Sequence, residues 1–128
     1  MKQISVIGGD KVIVELIKLI NGEYDILTYG LEEAEDLEGV QKVDLDTALS
    51  SDTIIFSIPF LNSSNEVFMP FSNNKLSYDE IRDRIAGKTI VTSRVEDNIR
   101  KELEDKNCKV IDVIKTDELN IINAISTA

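Results

Sequence analysis

Short runs of β-branched residues alternate along the chain with longer stretches whose apolar positions recur three and four apart. The first run, Ile4-Ser5-Val6-Ile7, ends in Gly8-Gly9-Asp10, and an apolar-periodic stretch follows at once. Runs of this kind predict buried parallel strands, and the periodic stretches predict helices packed on them. The pattern predicts strands over residues 3–7, 25–29, 40–43, 53–57, 88–92 and 109–113. It predicts helices over residues 11–21, 46–50, 78–85 and 95–106, and a last one from 116 to near the end. In the first helix Val12, Leu16, Leu19 and Ile20 are expected to form one apolar stripe. In the fourth, Val95, Ile99 and Leu103 recur four apart, and Asp97 supplies negative charge where a helix N-terminus favours it.

Strand–helix alternation at this spacing means βαβ units with right-handed crossovers. The expected fold is α/β: a three-layer, Rossmann-like or flavodoxin-like domain spanning residues 1–128, with a mostly parallel sheet of five to six strands. Residues 59–75 break the rhythm. They are too many for a βα connection, which usually takes about 2–6 residues. Residues 66–71 are expected to add a small strand or hairpin arm ended by Pro70. The apolar residues there have two readings, a contact arm or a loop folded over its own core. The stretch 116–128 has neither a Gly or Asn cap nor a basic last turn, so the natural chain is expected to continue past it.

Composition narrows the function classes. No apolar run approaches the ~18 residues of a membrane-spanning helix, and the first residues lack a signal-peptide layout. The single cysteine, Cys108, excludes an internal disulfide and fits a reducing cytosol, so a cytoplasmic location and a packing role for the thiol are expected. A formal net charge of −10 argues against nucleic acid and anionic membranes as partners. The acids of residues 32–38 read as a solvated face, with a cation or basic partner as the alternative. The absence of histidine excludes a His-ligated metal and a His general base, and no metal site is assigned.

In open α/β sheets ligands bind outside the carboxyl ends of the strands. The residues there are Gly8, Gly9 and Asp10; Tyr29 and Gly30; Ser57, Ile58 and Pro59; Thr92, Ser93 and Arg94; and Lys115, Thr116 and Glu118. The first group is not a dinucleotide fingerprint. Its glycines are adjacent, Val12 and Ile13 stand where a third glycine is needed, and the second strand ends in Thr28-Tyr29-Gly30 without an acid for a ribose. No cofactor-binding residue is therefore assigned. The turn reads either as a tight βα connection with Asp10 capping the helix, or as part of a polar-ligand or domain-interface site. Arg94 reads either as a fork that clamps a carboxylate, or as a surface arginine paired with Glu96 or Asp97. Ser57, Ser63 and Ser64 have no base near them and no G-x-S-x-G around them, so no catalytic residue is assigned. A phospho-receiver domain is excluded, because Ser57-Ile58-Pro59 stands where the phosphate-accepting aspartate belongs and Asp10 is alone where paired acids should hold Mg²⁺.

The order of motifs resembles the N-terminal domain of the A subunit of dipicolinate synthase, a family of spore-forming bacteria. The pieces are Val6-Ile7-Gly8-Gly9-Asp10, Asp52-Thr53-Ile54-Ile55-Phe56-Ser57-Ile58-Pro59, Val67-Phe68-Met69-Pro70-Phe71-Ser72-Asn73, Thr89-Ile90-Val91-Thr92-Ser93, residues 110–113 and Thr116-Asp117-Glu118. The resemblance implies two Rossmann-like domains, with NAD(P) held by a C-terminal domain that residues 1–128 do not include and no cofactor in this chain. It implies oxidation of an intermediate made from aspartate semialdehyde and pyruvate to pyridine-2,6-dicarboxylate, which accumulates with Ca²⁺ in the spore core. The implied partners are the chain's own C-terminal domain and the flavoprotein-like B subunit of dipicolinate synthase, with homo-oligomerisation left open, in the mother-cell cytoplasm of a sporulating bacterium. Arg94 stands where the family tends to have glycine, Lys115-Thr116-Asp117-Glu118-Leu119 where it tends to have Pro-Thr-x-Glu-Gly, and Lys11-Val12-Ile13 where an arginine is common. The expected substrate-side cleft comprises Gly9, Asp10, Ser57, Pro59, Ser93, Arg94, Thr116 and Glu118. In it Arg94 binds a dicarboxylate, assisted by Ser93 and the Gly9-Asp10 amides. The competing reading is a non-catalytic regulatory or interaction domain on the same scaffold, and a ligand-binding domain of an unrelated enzyme rests on fold analogy alone.

Overall fold

The computed structural model describes residues 2–35 and 37–113. Six strands in it form one sheet: β1 (Gln3–Ile7), β2 (Asp25–Tyr29), β3 (Gln41–Lys42), β4 (Thr53–Phe56), β5 (Thr89–Thr92) and β6 (Lys109–Asp112). Their order is β3-β2-β1-β4-β5-β6, and every neighbouring pair is parallel. This is the Rossmann order, which decides between the two expected sheet topologies. Ile7 is level with both Tyr29 and Phe56, so the ends of β1, β2 and β4 meet at one edge.

Helix α1 (Lys11–Ile20) covers one face of the sheet, through Ile13, Leu16, Ile17 and Ile20 against Ile4, Val6, Ile26 and Ile55. Helices α2 (Leu45–Ala48), α3 (Tyr78–Ile81) and α4 (Asp97–Asp105) cover the other, where Ala48, Tyr78, Ile81 and Leu103 meet Ile54, Phe56 and Ile90. The helix starts are set locally. Asp44 accepts the Thr47 N–H, and Ser77 and Glu80 form a capping box.

Three expectations need correction. The stripe expected on α1 is wrong at two positions, because Val12 is 59% and Leu19 45% exposed while Ile13, Val14 and Ile17 are buried. Lys11, Glu15 and Lys18 share one face of the helix, and the sheet takes the opposite face, where Ile13, Leu16, Ile17 and Ile20 lie; Val12 and Leu19 flank it. The helix expected over residues 78–85 is α-helical only to Ile81, beyond which Arg84 N–H bonds back three residues to Ile81 in a tighter turn. Residues 66–71 form no regular strand; two isolated antiparallel bridges, Leu61 with Val67 and Glu66 with Ser77, stand in its place. Of the two readings for this loop the second holds, since Phe60, Val67 and Met69 are buried in the core. Around residues 32–38, Glu32, Glu33, Glu35 and Glu38 face solvent while Leu31 is buried and Ala34 and Leu37 pack against α1's side of the core. The Cys108 thiol is buried and donates to the Ile85 carbonyl. The helix expected from residue 116 lies outside the described residues.

Candidate functional site

The β1–α1 turn lies at the carboxyl edge of the sheet. Gly8 and Gly9 have φ of 71° and 110°, values that a residue with a Cβ rarely adopts. Gly8 N–H donates to the Tyr29 carbonyl at 2.8 Å, and Gly9 N–H donates to the Phe68 carbonyl at 2.8 Å. The Asp10 carboxylate accepts the Val12 N–H at 3.0 Å and so caps α1. The loop between β4 and α3 is seated directly on these glycines. A Cβ at Gly8 would stand 2.7 Å from Met69 Cγ and 2.9 Å from Val67 Cγ1. A dinucleotide at such a turn needs free N–H groups and close approach of its pyrophosphate to the backbone. Here the Gly9 N–H is engaged by Phe68, and Val67 and Met69 fill the approach, so this turn does not fit a dinucleotide.

The serines at the ends of β4 and β5 brace the same loop. Buried Ser57 donates through Oγ to the Phe60 carbonyl at 2.9 Å and accepts the Phe68 N–H at 3.1 Å. Its own carbonyl accepts the Thr92 hydroxyl at 2.7 Å. Phe60 N–H donates to the Ser93 carbonyl at 3.1 Å, and Ser93 Oγ, fully buried, donates to Asp112 at 2.7 Å. The other carboxylate oxygen of Asp112 lies 3.5 Å from Arg100. Pro59 follows Ser57 through a cis Ile58–Pro59 bond and is half-buried.

Arg94 is exposed, with φ of 56°. The pairing with Glu96 or Asp97 is not formed: no carboxylate among the described residues lies within ion-pair distance of it. Beside it lies a hollow of about 40 Å³ lined by Phe60, Leu61, Asn62, Asn65, Val95, Glu96 and Ile99. Its floor is rigid, because Phe60 packs edge-on against Phe56 at 5.0 Å and Tyr78 at 6.0 Å. The Tyr78 hydroxyl ionises well above its ordinary range, first because the ring is buried and then because it donates to Glu102 at 2.9 Å.

The residues expected in one cleft are thus distributed over three places. Gly9 and Asp10 form a covered turn, Ser57 and Ser93 an internal brace, and Arg94 the rim of a separate hollow; Thr116 and Glu118 lie outside the described residues. The assistance expected from the Ser93 hydroxyl and the Gly9 amide is taken by Asp112 and Phe68. Phe68, Met69, Asn62 and Asn65 carry the geometry instead. The signal that pointed to them was the length of the 59–75 loop and the apolar Val67-Phe68-Met69 within its polar surroundings.

A parallel sheet in this order, with its glycine turn closed by its own β4–α3 loop, defines a Rossmann-like α/β domain without an open dinucleotide turn. Residues 3–114 match the family described as the N-terminal domain of the dipicolinate synthase A subunit, and the chain belongs to that family. Its structure is similar to the dipicolinate synthase A subunit from Bacillus halodurans, with a TM-score of 0.75 and 22% identity over 98% of this chain and 45% of that one. It is similar also to the dipicolinate synthase A chain from Bacillus subtilis, with a TM-score of 0.73 and 24% identity over 98% and 44% of the two chains. At these identities the likeness is one of fold, and this chain spans less than half of either. No curated protein matches it in sequence. Among the described residues, no helix is long and apolar enough to cross a membrane.

Proposed function

We propose that this domain is the substrate-side half of a dipicolinate-synthase-type oxidoreductase, in which a following domain holds NAD(P). The observation that carries this reading is the bond from Gly9 N–H to the Phe68 carbonyl, which closes the turn where a cofactor domain would keep its amides free. Family membership over residues 3–114 supports it, as does the length of the two similar chains, more than twice this one. On this reading NAD(P), if held by the following domain, would supply the hydride acceptor for an oxidation that gives pyridine-2,6-dicarboxylate. The residues of this chain bind and orient the substrate and exclude water; none takes the hydride. The B subunit, the mother-cell cytoplasm and a second copy of the chain belong to the same proposal.

The test is to co-express the B subunit with this chain and whatever is encoded in frame after residue 128, then supply the condensation product of aspartate semialdehyde and pyruvate. NAD(P)H is expected to form in step with pyridine-2,6-dicarboxylate, and the 128-residue chain alone is expected to give neither. A stop codon directly after residue 128 would overturn the reading. It would select a non-catalytic interaction domain, the alternative favoured by Arg94 standing where the family tends to have glycine.

A further inference from the structure

Asn21 and Gly22 are the chain's one Asn-Gly pair, and they stand in the turn between α1 and β2, at the amino edge of the sheet and away from the glycine turn. Asparagine is a thermolabile side chain, and a following glycine, without a Cβ, puts little in the way of its own backbone nitrogen. That nitrogen can attack the carboxamide. A bond forms from the Gly22 nitrogen to Asn21 Cγ, the Cγ–Nδ2 bond breaks, and ammonia leaves with the proton of the Gly22 N–H. Water then opens the five-membered imide at either carbonyl, giving aspartate or isoaspartate. Nothing is oxidised or reduced.

The structure leaves the pair accessible. Asn21 caps α1 from outside the helix and is half-exposed. Gly22 is exposed at φ 105°, and a Cβ there would meet no atom within 4 Å. Its N–H reaches no acceptor among the described residues. Two features hold the reaction back. The Asn21 ψ of 130° keeps the Gly22 nitrogen out of line with the carboxamide, and Asn21 Nδ2 donates to the Glu38 carbonyl at 2.6 Å. Ring closure therefore waits for the turn to open, which an exposed turn does at far less cost than global unfolding.

The bond that must break is also a tie between two connections. Through Asn21 Nδ2 the α1–β2 turn holds the segment leading from β2 into β3, and a Cβ at Gly39 would stand 2.9 Å from the same nitrogen. β3 is short and lies at the edge of the sheet, paired with β2 only through Gln41 and Lys42. After conversion a carboxylate without a donor faces the Glu38 carbonyl, close in sequence to the exposed acids Glu23 and Asp25.

We propose that Asn21 is a site of spontaneous deamidation, gated by opening of the α1–β2 turn, whose product releases the β2–β3 connection and frays the sheet at β3. The site is independent of the proposed function.

The experiment incubates the folded 128-residue chain in mildly alkaline buffer and follows its asparagine-containing peptides by mass spectrometry. Asn21 is expected to gain the mass that replaces NH₂ by OH ahead of every other asparagine. It is expected to do so about tenfold more slowly than a synthetic peptide of residues 17–26, the factor by which the folded turn protects it. Hydrogen exchange is expected to speed up at residues 39–42 in the converted protein and in Asn21→Asp alike, with β1 and β4 still protected. Asn21→Gln keeps a side-chain amide but needs a six-membered ring, and is expected not to convert. The proposal is overturned if Asn21 stays intact after the peptide has converted, or if it converts no faster than the β1 amides exchange through global unfolding. It is overturned equally if another asparagine converts first, or if Asn21→Asp exchanges at residues 39–42 as the parent does.

Discussion

A side chain at φ 56° and a buried phenol are the two residue-scale features with the clearest energetic consequences. The left-handed conformation costs a residue with a Cβ about 1–2 kcal/mol, while glycine gives back about 0.5–1 kcal/mol through its freer unfolded state. Arg94→Gly is therefore expected to stabilise the fold by about 0.5–1 kcal/mol, read as a rise of about 2–4 °C in Tm by calorimetry. Tyr78 acts through pH. Burial, then its hydrogen bond to Glu102, raises its folded pKa above the unfolded value near 10. The stability linked to the protonated phenol is thus complete below about pH 10 and is lost as pH climbs past it. Thermal scans between pH 8 and 12 should show this decline, and Tyr78→Phe should make it shallower, leaving the part due to Tyr29, whose pKa burial also raises.

At the scale of elements, the β4–α3 loop decides what the carboxyl edge of the sheet can do. It is pinned by Ser57, whose hydroxyl bridges the Phe60 carbonyl and the Phe68 N–H. Ser57→Ala leaves both groups without that partner and is expected to cost about 1–3 kcal/mol. Because Phe68 also holds Gly9, hydrogen exchange should speed up at the Gly9 and Phe68 amides while the β1 amides stay protected. The strands were legible in the sequence because each is a short β-branched run between turn signals. The buried side of α1 was legible too, opposite the polar stripe of Lys11, Glu15 and Lys18; the expected stripe failed at Val12 and Leu19 because they flank that side instead of lying within it. The Asp10 cap was legible because its partner is two residues away. The role of Ser93 was not, because Asp112 is nineteen residues away on a strand whose register no local pattern sets. Residues 61–69 carry no period at all, and their partners, Gly8, Gly9 and Ser57, are read only from the folded chain.

For the whole molecule, the arrangement divides labour along one edge. The glycine turn and the two serines hold the loop in place, and the exposed Arg94 remains beside a hollow whose floor is fixed by three aromatic rings. The proposed function makes the domain a partner to a cofactor-binding domain, and the closed turn is the observation that reading rests on. Titration of NAD and NADP into the 128-residue chain, followed at the amides of Gly8, Gly9 and Asp10, tests that claim most directly. The account predicts no saturable shift at these amides up to about 1 mM, a concentration at which even a site of only −4 kcal/mol would be half filled. Saturable shifts centred on Gly8, Gly9 and Asp10 would contradict it.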